Sequence, residues 1–292
     1  MSGPVMIAHL LLERISRKTL DRIPESHSIM DDPAQVQAFN AIVSDQGLLV
    51  PINFYHTVQA SSLLRAGETV LELACGPAGQ LIRMAQLNPD AHFIGLDASA
   101  GMLEIAQKSM DNSGVSNAQL LLGDMTRLHQ FVNASVDCIV CAMSLHHLPD
   151  RLSLDKFFSE VRRVLKPGGG LYLADFGRFK RKSTQRFFVH DRSSEQSPQF
   201  TQDYAESLAA AFSVEEIKNA SRIMGGQLEF YATILAPFML ILKTAHRRTL
   251  DTAALQRIQD MYQTLTALQQ RDFNNIARWF KMSGYDLPLK LY

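Results

Sequence analysis

Three acidic residues lie at the ends of short apolar segments in the first half of the chain. Glu72 belongs to the segment 69–74, Asp97 ends the segment 92–97, and Asp124 follows a run of three leucines. If these segments are parallel strands, the three carboxylates meet at the carboxyl edge of one sheet, where open α/β sheets bind ligands. Negative charge there attracts an ammonium or sulfonium cation and repels a pyrophosphate.

The turn after the first segment is built from small residues, which let a ligand approach the backbone. It retains Gly76 and Gly79 of a GxGxxG pattern but has Ala74 in the first position, so it is a poor dinucleotide site. Asp97 lies 21 positions after Gly76 (97 − 76), close to the roughly 20 expected of an acid that accepts ribose hydroxyls. Asp97 could instead cap the following helix, a role for which Ser99 competes. We therefore favour a nucleoside bearing an amino acid as the ligand.

Strand-like and helical segments alternate from about residue 58, which predicts βαβ units and a mostly parallel sheet. The predicted strands are Thr69–Ala74, His92–Asp97, Gln119–Gly123, Val136–Met143 and Gly170–Phe176, and the predicted helices between them are Gln80–Leu87, Ala100–Ser113 and Ser153–Leu165.

This arrangement resembles the class I S-adenosylmethionine-dependent methyltransferases, well over residues 58–178 and loosely over 179–245. The resemblance implies an α/β fold with a doubly wound, mostly parallel seven-stranded sheet and helical additions at both ends. It also implies S-adenosyl-L-methionine as cofactor and S-adenosyl-L-homocysteine as product. By resemblance the cofactor-binding residues are Glu72, Ala74, Cys75, Gly76, Ala78, Asp97, Ala98, Met102, Asp124, Met125, Ala142 and Met143.

Within this resemblance, the turn would hold the methionyl part of the cofactor, Asp97 the ribose, and Asp124 with Met125 the adenine. Ala74 and Ala78 depart from the pattern because they replace glycines that are common in the family. Alanine is the mildest replacement, so we expect tighter packing and a working site.

Two adjacent histidines, His146 and His147, are the candidate catalytic residues. They follow the fourth predicted strand at the cofactor edge, and imidazole titrates near neutral pH, which suits a general base. A structural or cofactor-shaping role is the alternative. Cys138 and Cys141 form a CxxC inside a predicted strand, where they would point to opposite faces, so we expect buried packing and no metal site.

The composition of the 292-residue chain excludes few classes of protein. The formal net charge is zero, so we do not expect nucleic acid as a partner, although the segment 178–192 mixes cations with aromatic residues.

Three cysteines favour a reducing compartment, and we expect a cytoplasmic protein. The apolar segment Leu228–Ala245 is broken by Pro237 into two strand-length pieces, and Val5–Leu12 begins an amphipathic helix, so we expect no membrane association.

We predict an N-terminal helical cap (1–57), a methyltransferase core (58–245) and a C-terminal helical extension (246–292), with pocket-wall residues at 53–55. The additions could cover the pocket or make a homodimer contact. The predicted function is methyl transfer to an O or N atom of a small molecule, such as one of secondary metabolism. The alternatives are an RNA or protein methyltransferase, a non-catalytic cofactor-binding scaffold or regulatory protein and, more distantly, a dinucleotide oxidoreductase.

Overall fold

The computed structural model describes residues 3–27, 29–44, 47–226 and 228–289. Within them the chain forms a seven-stranded sheet in the order β3-β2-β1-β4-β5-β7-β6. Strands β1 to β5 are parallel to one another, whereas β7 runs antiparallel to β5 and to β6. The strands are β1 Thr69–Leu73, β2 His92–Asp97, β3 Ala118–Leu122, β4 Val136–Ala142, β5 Leu165–Phe176, β6 Leu228–Ala232 and β7 Met239–Thr244. The predicted fold class is confirmed.

Helices cover both faces of this sheet, as a doubly wound fold requires. The bounds of the described helices are α1 Gly3–Ile15, α2 Pro33–Val43, α3 Val50–Ser61, α4 Gly79–Leu87, α5 Ala100–Ser113, α6 Arg151–Val164, α7 Lys182–His190, α8 Pro198–Ala210, α9 Val214–Ser221, α10 Thr252–Thr264 and α11 Ala267–Lys281. One core packs the sheet against α3, α4, α5, α10 and α11, and the other packs it against α6 and α9.

The strand β4 contributes to both cores because successive side chains alternate between the faces of a sheet. Cys138 belongs to the core with α3, and Cys141 to the core with α6. Both thiols are free and buried. The CxxC therefore consists of two packing residues on opposite faces, as the strand prediction required.

The N-terminal and C-terminal additions pack against each other through aromatic side chains. Phe54 and Tyr55 of α3 contact Phe273 and Phe280 of α11, with ring centroids 5.3 and 5.4 Å apart for the pairs Phe54–Phe273 and Tyr55–Phe280. Helix α3 runs across the boundary predicted at residue 57, so the N-terminal segment continues into the core without a break. The three-part division of the chain remains a prediction.

The apolar segment at 228–245 forms the strands β6 and β7, as Pro237 between them led us to expect. Among the described residues, no helix combines the length and the apolar character that a membrane crossing demands.

The end of β5 lies unusually close to the turn between β6 and β7. The amide of Gly177 donates to the carbonyl of Phe238 at 3.2 Å. A Cβ atom built on Gly177 would lie 1.7 Å from the carbonyl oxygen of Pro237. Only glycine allows this approach, and the approach sets the position of Phe238 beside the cavity described below.

We predict that Gly177→Ala destabilises the protein by about 1–3 kcal/mol, because the backbone of Pro237 must move to admit the methyl group. Urea denaturation would measure this difference. Gly226→Ala is the matched control, since no heavy atom lies within 4 Å of a Cβ at that position. Equal stability of the two variants would contradict the steric argument.

Candidate functional site

A cavity of about 590 Å³ opens at the carboxyl edge of the sheet. Its volume is within the range of small-molecule sites. Glu72, Asp97 and Asp124 all line it, at the ends of β1, β2 and β3. The structure thus brings together the three acids that the sequence analysis singled out, at the point where the strand order reverses between β1 and β4.

The turn between β1 and α4 has an unusual backbone. Ala74, Gly76 and Ala78 have φ angles of 55°, 53° and 64°, in the left-handed region. This conformation costs a non-glycine residue roughly 1–2 kcal/mol, so Ala74 and Ala78 hold strain that glycine would not. The turn is held by hydrogen bonds from the Cys75 amide to Leu96 O (3.1 Å) and from the Ala78 amide to Cys75 O (3.0 Å). Backbone strain of this kind is typical of ligand sites.

The carboxylate of Asp97 joins this turn to the next strand. It accepts hydrogen bonds from the amide of Gly76 at 2.8 Å and from the amide of Ser99 at 2.9 Å. Burial raises the pKa of Asp97 despite these backbone donors. The N-cap of α5 is Ser99, whose hydroxyl accepts from the Met102 amide. Asp97 is therefore not the N-cap of α5, which was the alternative role that the sequence allowed.

Glu72 is the most deeply buried acid of the cavity. Its side chain is 3% exposed, and its Oε2 atom has no hydrogen-bond partner among the described residues. Burial, with a smaller contribution from the charge of Asp97, raises its pKa well above the ordinary value. An unpartnered carboxyl oxygen in a cavity is suited to a cationic ligand group. The residues at this edge therefore fit the ammonium and ribose groups of S-adenosylmethionine.

Asp124 differs from the other two acids because it is exposed. Its Oδ1 atom accepts from the amide and the hydroxyl of Thr126, at 2.7 and 2.8 Å. Its Oδ2 atom accepts no hydrogen bond from Thr126. Among the remaining residues that the resemblance implied for the cofactor, the structure puts these at the cavity wall: Ala74, Cys75, Gly76, Ala98, Met102, Met125, Ala142 and Met143.

Ala78 is the exception, because it is fully buried and does not line the cavity. Its methyl group packs in the core with Leu81, and it affects the site through its backbone alone. The prediction that residues 53–55 form pocket wall is correct for one residue and wrong for two. Asn53 lines the cavity, whereas Phe54 and Tyr55 point into the core because they pack on α11.

His147 lines the cavity and is paired with an acid from the N-terminal segment. Its Nδ1 atom is in direct contact with the Oε2 atom of Glu25. The other oxygen of Glu25 accepts from the hydroxyl of Ser207 at 2.8 Å. Burial would raise the pKa of Glu25, but the hydrogen bond and charge of His147 lower it to about 2. The pair is thus an ionised carboxylate that orients an imidazole.

Arg22 holds the segment that carries Glu25 against the site. Its guanidinium donates to the carbonyl oxygens of Ala210 at 2.7 Å, Pro149 at 2.7 Å and His146 at 3.0 Å, and also to that of Leu148. It lies over the ring of Phe212. These contacts bind residues 22–25 directly to the turn that carries both histidines.

His146 is buried and paired with Asp175 at the end of β5. Its Nδ1 atom lies 2.7 Å from Asp175 Oδ1, and its amide donates to Oδ2 at 2.9 Å. Burial would lower the pKa of His146, but the Asp175 carboxylate raises it.

Glu25, His146 and His147 offer ligand atoms within 4.8 Å of one another and could coordinate a metal ion. The Nδ1 atoms of His146 and His147 are already in contact with the carboxylates of Asp175 and Glu25, respectively.

The other end of the cavity is lined by aromatic residues. Phe176 contacts the ring of His146 at a centroid distance of 5.2 Å and that of Tyr204 at 5.6 Å. The aromatic wall consists of Phe176, Phe179, Phe188, Phe200, Tyr204, Phe238 and Trp279. One side chain in this part, Asp203, has a buried oxygen, Oδ2, without a partner in the described chain.

Sequence reasoning missed the acids that orient the histidines and most of the aromatic wall. Asp175 had a usable signal, because it is a fourth acid at the end of a predicted strand. Glu25 and Ser207 had none, since they lie 122 and 60 positions from His147 (147 − 25 and 207 − 147). Only the packing of α8 and the N-terminal segment brings them together.

Part of the basic segment 178–192 is neutralised by local contacts. Arg178 pairs with Glu216, and Arg192 pairs with Glu195 and with Asp272, the last at 2.5 Å. Arg192 and Asp272 both line the cavity. The segment therefore does not present all its cations to an external polyanion.

Comparison with known proteins agrees with this geometry. Residues 70–169 match a family model described as a methyltransferase domain. The chain is 33% identical over 113 residues to the demethylmenaquinone methyltransferase of Listeria welshimeri, a match that covers 38% of this chain and 46% of that protein. It is 30% identical over 141 residues to the protein of the same name from Lactococcus lactis, covering 46% and 54%. The chain spans about half the length of these curated relatives.

Solved structures share the fold at low sequence identity. A SAM-dependent methyltransferase from Aquifex aeolicus superposes with a TM-score of 0.53 at 18% identity, covering 74% of this chain and 98% of that one. An O-methyltransferase family protein from Burkholderia thailandensis gives 0.52 at 17% identity, covering 73% and 60%.

We predict that Asp97→Ala weakens the binding of S-adenosylhomocysteine by about tenfold to a hundredfold, since hydrogen bonds to a charged group are worth about 1.5–3 kcal/mol. Isothermal titration calorimetry would measure the change. Asp124→Ala should have a smaller effect, because this exposed carboxylate is already engaged by Thr126. An unchanged affinity in Asp97→Ala, with the fold intact by circular dichroism, would contradict the ribose assignment.

We predict that Glu25 contributes pH-dependent stability. Its folded pKa of about 2 lies below the ordinary 4.5, so the contribution is present above pH 4.5 and is lost as the pH falls towards 2. Relative to Glu25→Gln, the wild type should be more stable by about 2–3 kcal/mol near pH 5.5 and by much less near pH 2. Urea denaturation at a series of pH values would show this; a difference that does not change with pH would contradict the ionised pair.

Proposed function

We propose that this chain, whose residues 70–169 form a domain of the class I S-adenosylmethionine-dependent methyltransferase family, transfers a methyl group to an O or N atom of a small, largely apolar molecule. The observation that carries the proposal is a single cavity with acids at one end, a carboxylate-paired histidine in its wall and an aromatic lining at the other end. S-adenosylmethionine, when bound, supplies an activated methyl group.

The acidic end is suited to the cofactor. Glu72 would accept a hydrogen bond from the cofactor's ammonium group, because its buried oxygen lacks any other partner in the described chain. Asp97 would accept the ribose hydroxyls while its bonds to Gly76 and Ser99 keep the turn in place. Asp124 and Met125 would lie beside the adenine. These roles follow from the family resemblance together with the positions of the side chains.

His147 is the residue we propose as general base. Its Nδ1 atom is engaged by Glu25, which leaves Nε2 to accept a proton from the acceptor's hydroxyl or amino group. Glu25 is a positioning residue that fixes the tautomer and stabilises the imidazolium that forms. His146 is held by two bonds to Asp175 and is almost completely buried, so we assign it a positioning role in the wall.

The aromatic end favours an acceptor with a ring system. Stacked and edge-on contacts to aromatic rings contribute about 0.5–1.5 kcal/mol each beyond simple burial. The unpartnered oxygen of Asp203 would accept a hydrogen bond from a polar group of such a molecule. The names of the Listeria and Lactococcus relatives refer to a quinone, which is a small molecule with a ring system. The matches cover about half of each relative, so the names support a small molecule with a ring system as the class of acceptor and identify no particular substrate.

The test is transfer of labelled methyl groups from S-adenosylmethionine to a panel of acceptors. The panel includes hydroxylated aromatic compounds, aromatic amines, bulk tRNA and a protein extract, so that the RNA and protein alternatives are outcomes of the same assay. We expect label on the aromatic compounds. Label on RNA or protein alone would overturn the substrate class, and binding of the cofactor without any transfer would favour the scaffold alternative.

We predict that His147→Ala lowers kcat by about 10²–10⁴-fold, the usual contribution of a general base, while the affinity for S-adenosylhomocysteine is retained. Added imidazole should restore part of the activity. His129→Ala is the matched control, because His129 is exposed and lies outside the cavity. Full activity of His147→Ala would show that transfer proceeds without this base.

A further inference from the structure

Helix α1 has apolar side chains on its outer surface as well as its inner one. Met6, Leu10 and Glu13 are buried against the protein. On the opposite side lie five apolar residues whose exposed fractions run from 38% to 74%. We call them the apolar ridge: Val5, Ile7, Leu11, Leu12 and Ile15. At 100° per residue they occupy an arc of roughly 160°, wider than the core-facing stripe of an ordinary surface helix.

The inner face of α1 is fixed in a way that keeps the ridge exposed. The buried carboxylate of Glu13 accepts from the amides of Lys180 and Arg181, at 2.7 and 2.9 Å. The ring of His9 stacks on Phe187 of α7 at 4.7 Å. Rotating α1 to bury the ridge would leave two amides and a carboxylate without partners, which is costly. The outward orientation is therefore a property of the folded chain.

Positive charge surrounds one end of the ridge. Arg14, Arg17 and Lys18 are exposed at the C-terminal end of α1. A second basic group is brought there by the chain beyond β5, because Lys180 Nζ donates to Ser16 O at 2.9 Å. We call the exposed cations of this region the basic rim: Arg14, Arg17, Lys18, Arg181 and Lys182. None of them forms an ion pair within the part of the chain that the structure describes. The exposed acid nearest in sequence is Asp21.

We propose that α1 docks on an anionic lipid surface. An amphipathic helix that lies in the plane of a membrane inserts its apolar face at the boundary of the headgroups, while flanking Lys and Arg side chains bind lipid phosphates. The ridge supplies the first contact and the basic rim the second. Docking of this kind needs no membrane-crossing helix.

Our expectation of no membrane association took into account only a signal peptide and a membrane-crossing segment. A surface helix could not be recognised from Val5–Leu12 alone, since the direction that each side chain faces depends on how α1 packs on α7.

Two other occupants of this surface are less well matched to it. A second copy of the chain would need roughly 20–30 residues a side for a stable interface, and the ridge offers five on one helix. A nucleic acid would bind the basic rim through its phosphates but would leave the ridge in contact with water. Only a surface that is both apolar and anionic uses the two features together.

The experiment measures sedimentation of the full chain with lipid vesicles, so it does not depend on the proposed methyl transfer. Vesicles of phosphatidylcholine alone are compared with vesicles that also contain phosphatidylglycerol, at several salt concentrations. We expect binding to the mixed vesicles that weakens as salt is added, and little binding to phosphatidylcholine. The double substitution Leu11→Glu/Ile15→Glu should reduce binding by at least about tenfold.

The rim is tested by Arg17→Gln/Lys18→Gln, which should reduce binding by about fivefold for each charge removed. Val132→Glu/Leu152→Glu is the matched control for the ridge, because it places the same charges at two exposed apolar positions elsewhere. All variants are compared by thermal unfolding and by their affinity for S-adenosylhomocysteine, so that a loss of folding is recognised.

Any one of four results would overturn the proposal. The first is a lack of binding to the mixed vesicles at low salt. The second is an equal loss of binding in the ridge variant and its control. The third is a dimer, seen by analytical ultracentrifugation, that the ridge substitutions dissociate. Binding of tRNA that depends on the rim and not on the ridge, without any vesicle binding, would likewise assign this surface to nucleic acid.

Discussion

The burial of two carboxyl groups side by side is the constraint on which the site depends. Glu72 and Asp97 lie at the ends of neighbouring strands; Glu72 is buried and Asp97 partly buried, and this burial raises the pKa of both carboxyl groups. Within the described residues, Asp97 accepts hydrogen bonds from two backbone amides, whereas Oε2 of Glu72 has no partner. An unpaired acid beside it costs stability unless a positively charged ligand completes the site. The proposed cationic ligand would supply the partner that this edge of the sheet lacks within the described residues.

The segment before the sheet closes the other side of the cavity. The Arg22 guanidinium donates to four carbonyl oxygens, and Glu25 contacts His147, so the N-terminal residues position the proposed base as well as lining the cavity. The carboxylate of Glu13 joins α1 to the chain beyond β5, because it accepts hydrogen bonds from the amides of Lys180 and Arg181. Buried acids thus fasten the N-terminal segment at two places. The outward face of α1 follows from the second of these attachments.

The sheet and the cofactor edge were predictable because their signals are local. Alternating strand and helix patterns predicted a mostly parallel sheet, and acids at the ends of three strands indicated the edge at which the cavity lies. The cofactor-binding role of Ala78 stays a prediction that concerns its backbone, and only the structure shows that its methyl group is buried, since a motif position does not reveal whether a methyl group faces a cavity or a core. Phe54 and Tyr55 were misplaced for the same reason, because their partners Phe273 and Phe280 lie more than 200 positions away along the chain.

What the sequence by itself determined is the framework: a doubly wound sheet, a small-residue turn and carboxylates aligned for a cationic nucleoside. Each of these depends on spacing within about 30 residues, the length of one βαβ unit. The tertiary structure alone decided which histidine is paired with Glu25, which aromatic side chains form the far wall, and that the apolar ridge of α1 faces outward. These features join residues that are remote in the chain, and their geometry is set by packing, which no local pattern encodes.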